Sequence, residues 1–93
     1  MAPACPYAVV RLHDGTYSLE HMDGLASSRC ALVKPVTDRT GKVLGWKLKP
    51  LVCMLGSKSR LWTSPAEAIT ATKLMKPGQA KAAVAQADAA RLP

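Results

Sequence analysis

Tyr7-Ala8-Val9-Val10-Arg11-Leu12-His13-Asp14-Gly15-Thr16-Tyr17-Ser18-Leu19-Glu20-His21 decides the fold class of this chain. Two alternating segments flank Asp14-Gly15, and Asp-Gly between such segments is a strong hairpin signal. Closing a two-residue turn there pairs Leu12 with Tyr17, Val10 with Leu19 and Ala8 with His21. Leu12, Tyr17, Val10 and Leu19 then share one face, with Arg11 opposite Ser18 and Val9 opposite Glu20 on the other. Strand side chains alternate, so a slip of one residue would exchange the faces.

The same grammar continues along the chain. Asp23-Gly24 marks a turn, and a third strand runs roughly from Arg29 to Val36. Asp38-Arg39-Thr40-Gly41-Lys42 is a longer hairpin loop in which Gly41 supplies a positive φ. The return strand, Val43 to Lys49, sets Leu44, Trp46 and Leu48 on one face and Val43, Gly45, Lys47 and Lys49 on the other. Pro50 cannot donate to a ladder and ends the strand or turns an edge. Leu51 to Leu55 is a short apolar run expected as a buried strand, Gly56-Ser57 a turn, and Lys58 to Thr63 a returning segment.

The period then changes. In Ser64-Pro65-Ala66-Glu67, Ser64 is the expected N-cap, Pro65 suits the first helical position and Glu67 completes a capping box. Ala68, Ile69, Ala71, Thr72, Leu74 and Met75 give one apolar stripe, with Lys73 and Lys76 at the C-terminal end of the dipole and Pro77-Gly78 as the stop. From Gln79 onward the chain is alanine-rich, with Val84 and Leu92 as its large apolar residues. Alanine favours helix but buries little surface, which leaves this helix frayed or loosely docked. The expected architecture is therefore α+β. An antiparallel meander of about five to six strands carries a C-terminal helix on one face, with residues 1–78 as one domain and 79–93 as an Ala-rich helix or tail.

Length and composition narrow the function. Ninety-three residues make one domain with a modest core, too short for an enzyme with a large enclosed cleft. The 48% hydrophobic content excludes a wholly disordered chain. No run reaches the ~20 apolar residues of a membrane span. The start lacks the basic and apolar regions of a secretory signal, and Cys5, Cys30 and Cys53 are an odd number at wide spacing. A reduced, cytoplasmic protein is expected.

Chemistry-bearing motifs are weak. There is no Cys-x-x-Cys or His-x-x-x-His, and His13 and His21 sit at opposite ends of the first hairpin, so no metal is expected. No Gly-x-Ser-x-Gly elbow and no P-loop frame occurs. Asp14, Asp23 and Asp38 fall in turns and Glu67 in a cap, so neither a catalytic residue nor a cofactor is expected.

The formal charge of +7 is the informative quantity. Residues 1–28 carry −2, residues 29–60 carry +7 and residues 61–93 carry +2. A clustered basic face attracts a phosphate backbone through counterion release. The residues expected to form it are Arg39, Lys42, Lys47, Lys49, Lys58 and Arg60, with Trp62 available to stack a base. A solvated sheet face that keeps a small protein soluble gives the same composition. Trp46, which shares its face with Leu44 and Leu48, is expected in the core.

The first expectation is a small non-enzymatic module that binds DNA or RNA. The alternative is a protein-binding regulator or inhibitor, phage- or plasmid-encoded, whose basic surface meets an acidic protein surface on a larger nucleic-acid-handling assembly. A third is a homodimer joined by an edge strand or by the Ala-rich helix.

Overall fold

The computed structural model describes residues 6–23, 26–51 and 60–90. Strands β1 (Tyr7–Arg11), β2 (Tyr17–Asp23), β3 (Ala26–Thr37) and β4 (Val43–Pro50) form one antiparallel sheet in the order β1-β2-β3-β4. Helices α1 (Pro65–Ala71) and α2 (Pro77–Ala89) pack on one face of it, α1 against β4 and β3, α2 against β1. The chain is thus α+β with a four-stranded sheet among the described residues, against an expected five or six strands. Of the expected strand from Leu51 to Leu55, residues 52–55 lie outside the described residues, as do the Gly24 and Gly56-Ser57 turn positions. Leu51 itself is not in a strand, although its N–H donates to Cys30 O at 2.8 Å. The returning segment survives as one bridge, in which Trp46 and Trp62 exchange N–H to O bonds of 2.9 Å along the outer edge of β4.

The first hairpin forms, but with a register one residue away from the expected one. Its pairs are Tyr7↔His21, Val9↔Leu19 and Arg11↔Tyr17. The loop is His13-Asp14-Gly15, closed by Leu12 N–H to Thr16 O at 2.7 Å and Gly15 N–H to Leu12 O at 3.1 Å. A two-residue type I′ turn needs positive φ at both centres. Here only Gly15 takes one (+86°), while Asp14 instead accepts the Thr16 N–H at 3.0 Å. That three-residue loop exchanges the faces of β1: Val9 is buried and Val10 is 43% exposed.

The core consists of Val9, Tyr17, Leu19, Ala31 and Val33 from the sheet and Trp62, Ala68, Ile69, Met75, Ala80 and Ala87 from above it. Cys30 is also buried, at a register shift between β2 and β3 where Leu19 faces Ala31 but Glu20 faces Arg29. Cys5 and Cys53 lie outside the described residues.

Helix α1 starts as expected, with Ser64 Oγ accepting the Glu67 N–H at 3.1 Å. The Glu67 carboxylate does not close the box and takes the Thr63 hydroxyl instead. The helix ends at Ala71, short of the expected stripe through Met75. Thr72 Oγ1 donates back to Ile69 O at 2.6 Å, and Lys73 turns to φ +65°. Pro77 is consequently the first residue of α2, not the stop of α1. Gln79 Oε1 accepts the Lys76 N–H at 3.0 Å, half of a capping box whose other half an ammonium cannot supply. The domain boundary expected after Gly78 thus falls inside α2. The alanines that promised weak docking are what seat this helix: Ala80 and Ala87 are buried, and Ala83 and Val84 pack at the margin of the core.

Candidate nucleic-acid interface

Among the described residues, α1 and α2 cover one face of the sheet and no helix covers the other. Alternation places Leu32, Lys34 and Val36 of β3 there, opposite Lys49, Lys47 and Gly45 of β4 respectively. Lys34 and Lys47 are therefore direct cross-strand partners, where Cβ atoms lie about 4.5–5.5 Å apart. Lys34, Lys47 and Lys49 are exposed, and none makes an ion pair with a described residue. Arg29 joins the face opposite Glu20, whose Oε2 lies 3.8 Å from its guanidinium and also accepts Ser18 Oγ at 3.2 Å.

The β3–β4 loop repeats the first hairpin. Gly41 has φ +89°, its N–H donates to Asp38 O at 3.1 Å, and Asp38 N–H donates to Lys42 O at 2.9 Å. Asp38 Oδ1 accepts from Thr40 Oγ1 (2.6 Å), Thr40 N–H (2.8 Å) and Lys42 N–H (3.0 Å). The Thr40 hydroxyl, then the loop amides, hold the Asp38 carboxyl below the ordinary aspartate range. Thr16 does the same for Asp14, first through its backbone N–H, with a small contribution from the Lys34 charge. The Asp38 carboxylate thus serves the loop, and Arg39 and Lys42 remain exposed about 15 Å beyond the Lys34–Lys47 pair at 3.3 Å per residue.

The structure divides the sequence-derived set. Lys47 and Lys49 share the open face; Arg39 and Lys42 sit at the tip of the same hairpin. Lys58 lies outside the described residues. Arg60 is exposed, but its guanidinium covers the Trp62 ring at 5.2 Å from the centroid. Trp62 is 7% exposed and belongs to the core under the helices, so its ring is not presented as a stacking platform. Trp46 is partly buried against that core, with its ring 5.5 Å from that of Tyr17.

Lys34 and Arg29 were missed by sequence reasoning. From the loop alone, Asp38 facing Lys42 would set Lys34 opposite Trp46. A register shift between Val36 and Thr37 leaves Leu44 as an extra residue and brings Lys47 there instead. Lys34 is the one charged residue in the otherwise apolar run 30–36, and that was the signal available for it.

Among the described residues, no group of three His, Cys, Asp or Glu side chains could hold a metal ion, and no helix is long and apolar enough to cross a membrane. Comparison of the chain with protein-family models, curated proteins and solved structures finds no match. Geometry and charge therefore carry the reading of this face.

Proposed function

We propose that the chain is a non-enzymatic module whose open sheet face, centred on Lys34 and Lys47, binds the phosphate backbone of a nucleic acid duplex. The observation that carries this reading is the direct opposition of two lysines with no ion-paired carboxylate among the described residues. Like charges opposite one another weaken a sheet. A polyanion laid across β3 and β4 relieves that repulsion and releases its own counterions. Lys49 extends the patch along β4, Arg39 and Lys42 extend it to the hairpin tip, and Arg29, paired with Glu20, borders it.

The aromatics favour a backbone reader. Tyr7, Tyr17, Trp46 and Trp62 all belong to the helix-covered side. Single-strand binders stack bases on aromatic rings. A face of lysines, arginine and aliphatic residues holds phosphates without reading bases, so sequence-independent binding to duplex DNA or RNA is the expected behaviour. The described carboxylates support binding over catalysis. Asp14 and Asp38 tie loops, Glu67 takes the Thr63 hydroxyl, and Glu20 and Asp88 are ion-paired.

The test is fluorescence anisotropy with duplex and single-stranded DNA and RNA of equal length, titrated with salt. Duplex should bind at least as tightly as single strand, with log Kd rising linearly in log salt. Changing Lys34 or Lys47 to Gln should each reduce that slope by about one. No binding at low ionic strength would overturn the proposal. So would an acidic protein that stays bound after nuclease treatment in place of nucleic acid.

A further inference from the structure

We propose that a second copy of this chain docks on the β1 edge, forming a two-fold dimer with a continuous sheet and the two α2 helices side by side. Hydrogen-bond parity opens that edge. Leu12 N–H bonds Thr16 O and Met22 N–H bonds Pro6 O, so the even-numbered residues of this strand exchange bonds with β2. The N–H and C=O groups of Tyr7, Val9 and Arg11 therefore point away from β2.

The two edges of the sheet are unequally protected. The β4 edge carries Lys47, Lys49 and Pro50, has the extra residue Leu44, and is capped by the Trp46–Trp62 bridge. These are the usual devices against edge pairing. β1 has no lysine, proline or bulge.

Charge and register select the occupant. The basic excess lies on β3 and β4, and the single charge on β1, Arg11, is neutralised by Asp88 at 3.0 Å. A polyanion has nothing to hold there, and two copies meet without the repulsion that their net charges cause elsewhere. The edge is also self-complementary. With a two-fold axis at Val9, Val9 faces Val9 of the second copy and Tyr7 faces Arg11 in both directions. On the open face, half-exposed Val10 meets Ala8 of the second copy. Beside the edge runs a shallow hollow lined by Val9, Val10, Arg11, Gln86, Ala87 and Ala90. Ala87 and Ala90 on this flank leave room for the second α2 to approach, giving a seam two layers deep.

Analytical ultracentrifugation of the full chain, cleared of nucleic acid by nuclease and high salt, tests this from micromolar to millimolar concentration. The expected result is a shift from 9.9 kDa to twice that mass. Val10→Lys places a charge beside the axis on an exposed site and should weaken the dimer about tenfold or more, with circular dichroism and Tm unchanged. Gln86→Lys, at an exposed helix position, should weaken it independently, whereas Lys47→Glu should leave it intact. A monomer at every concentration would refute the proposal, as would a dimer indifferent to both Val10→Lys and Gln86→Lys. Neither outcome bears on polyanion binding, which is read separately.

Discussion

The Tyr17 hydroxyl donates to Asp88 Oδ1 across 2.6 Å, tying β2 to the end of α2 over 71 residues of chain. Arg11 reaches the same oxygen at 3.0 Å while its guanidinium lies 5.6 Å from the Tyr17 ring centroid. Alanines bury less area than larger apolar side chains, so this polar clasp adds to the seat that buried Ala80 and Ala87 give the helix.

Asp88→Ala is accordingly expected to cost about 1–2 kcal/mol, limited by the partial exposure of both partners. Tyr17→Phe, which leaves the Arg11 bond, is expected to cost about 1 kcal/mol. Urea denaturation measures both. Midpoints identical to that of the parent chain would mean that the buried alanines hold α2 without the clasp.

The Lys34–Lys47 opposition separates stability from binding. Lys34→Glu converts a like-charge cross-strand pair into an opposite one and should stabilise the sheet by about 0.2–1 kcal/mol while weakening duplex affinity. Thermal melts and anisotropy on the same sample test the pairing. A variant that loses stability and keeps affinity would contradict both the register and the proposed role of the face.

Two glycines test backbone and space independently. A Cβ on Gly45 would sit 3.0 Å from Leu61 Cβ and 3.2 Å from Trp62 O, so Gly45→Ala should loosen the Trp46–Trp62 bridge at about 1–3 kcal/mol. Gly41 has open space around it but φ +89°, so Gly41→Ala should cost about 1 kcal/mol through conformation alone. Tryptophan fluorescence should respond strongly to the first substitution and little to the second. Equal responses would rule out the close approach of Leu61.

The Asp38 loop predicts an acid response. Hydrogen bonds from Thr40 and the loop amides favour the carboxylate, so its folded pKa lies below the ordinary value of 3.8. The associated stability is fully present above that value and is lost as the pH falls through the lower folded value. NMR titration should place the Asp38 midpoint below 3.8, and Asp38→Asn should remove this part of the acid sensitivity. A midpoint at or above 3.8 would exclude the hydrogen-bonded carboxylate.

Local chemistry carried much of the fold. Asp14-Gly15 and Gly41 announced the first and third of the three hairpins, and Ser64-Pro65 announced the change from sheet to helix. Each acts within a few residues through φ, a missing N–H or a capping oxygen. A second helix start at Pro77 was also written locally, in Pro77 and Gln79, yet Pro-Gly is as good a stop as Pro is a start. The candidate face was half legible. Lys47 and Lys49 alternate visibly in β4, but which β3 residues oppose them depends on the extra residue at Leu44, which no local motif marks.

By itself, the sequence determined a small α+β chain built from hairpins, ending in helices, with its positive charge concentrated in the middle third. Tertiary structure decided which side of each strand is the inside. One extra loop residue at the first hairpin buried Val9 and exposed Val10, and one bulge matched Lys34 to Lys47. Because side chains alternate with a period of two, a single-residue choice reverses every face. The energies that make the choice, burial beneath α1 and α2 and the Asp88 clasp, come from residues far away in the chain.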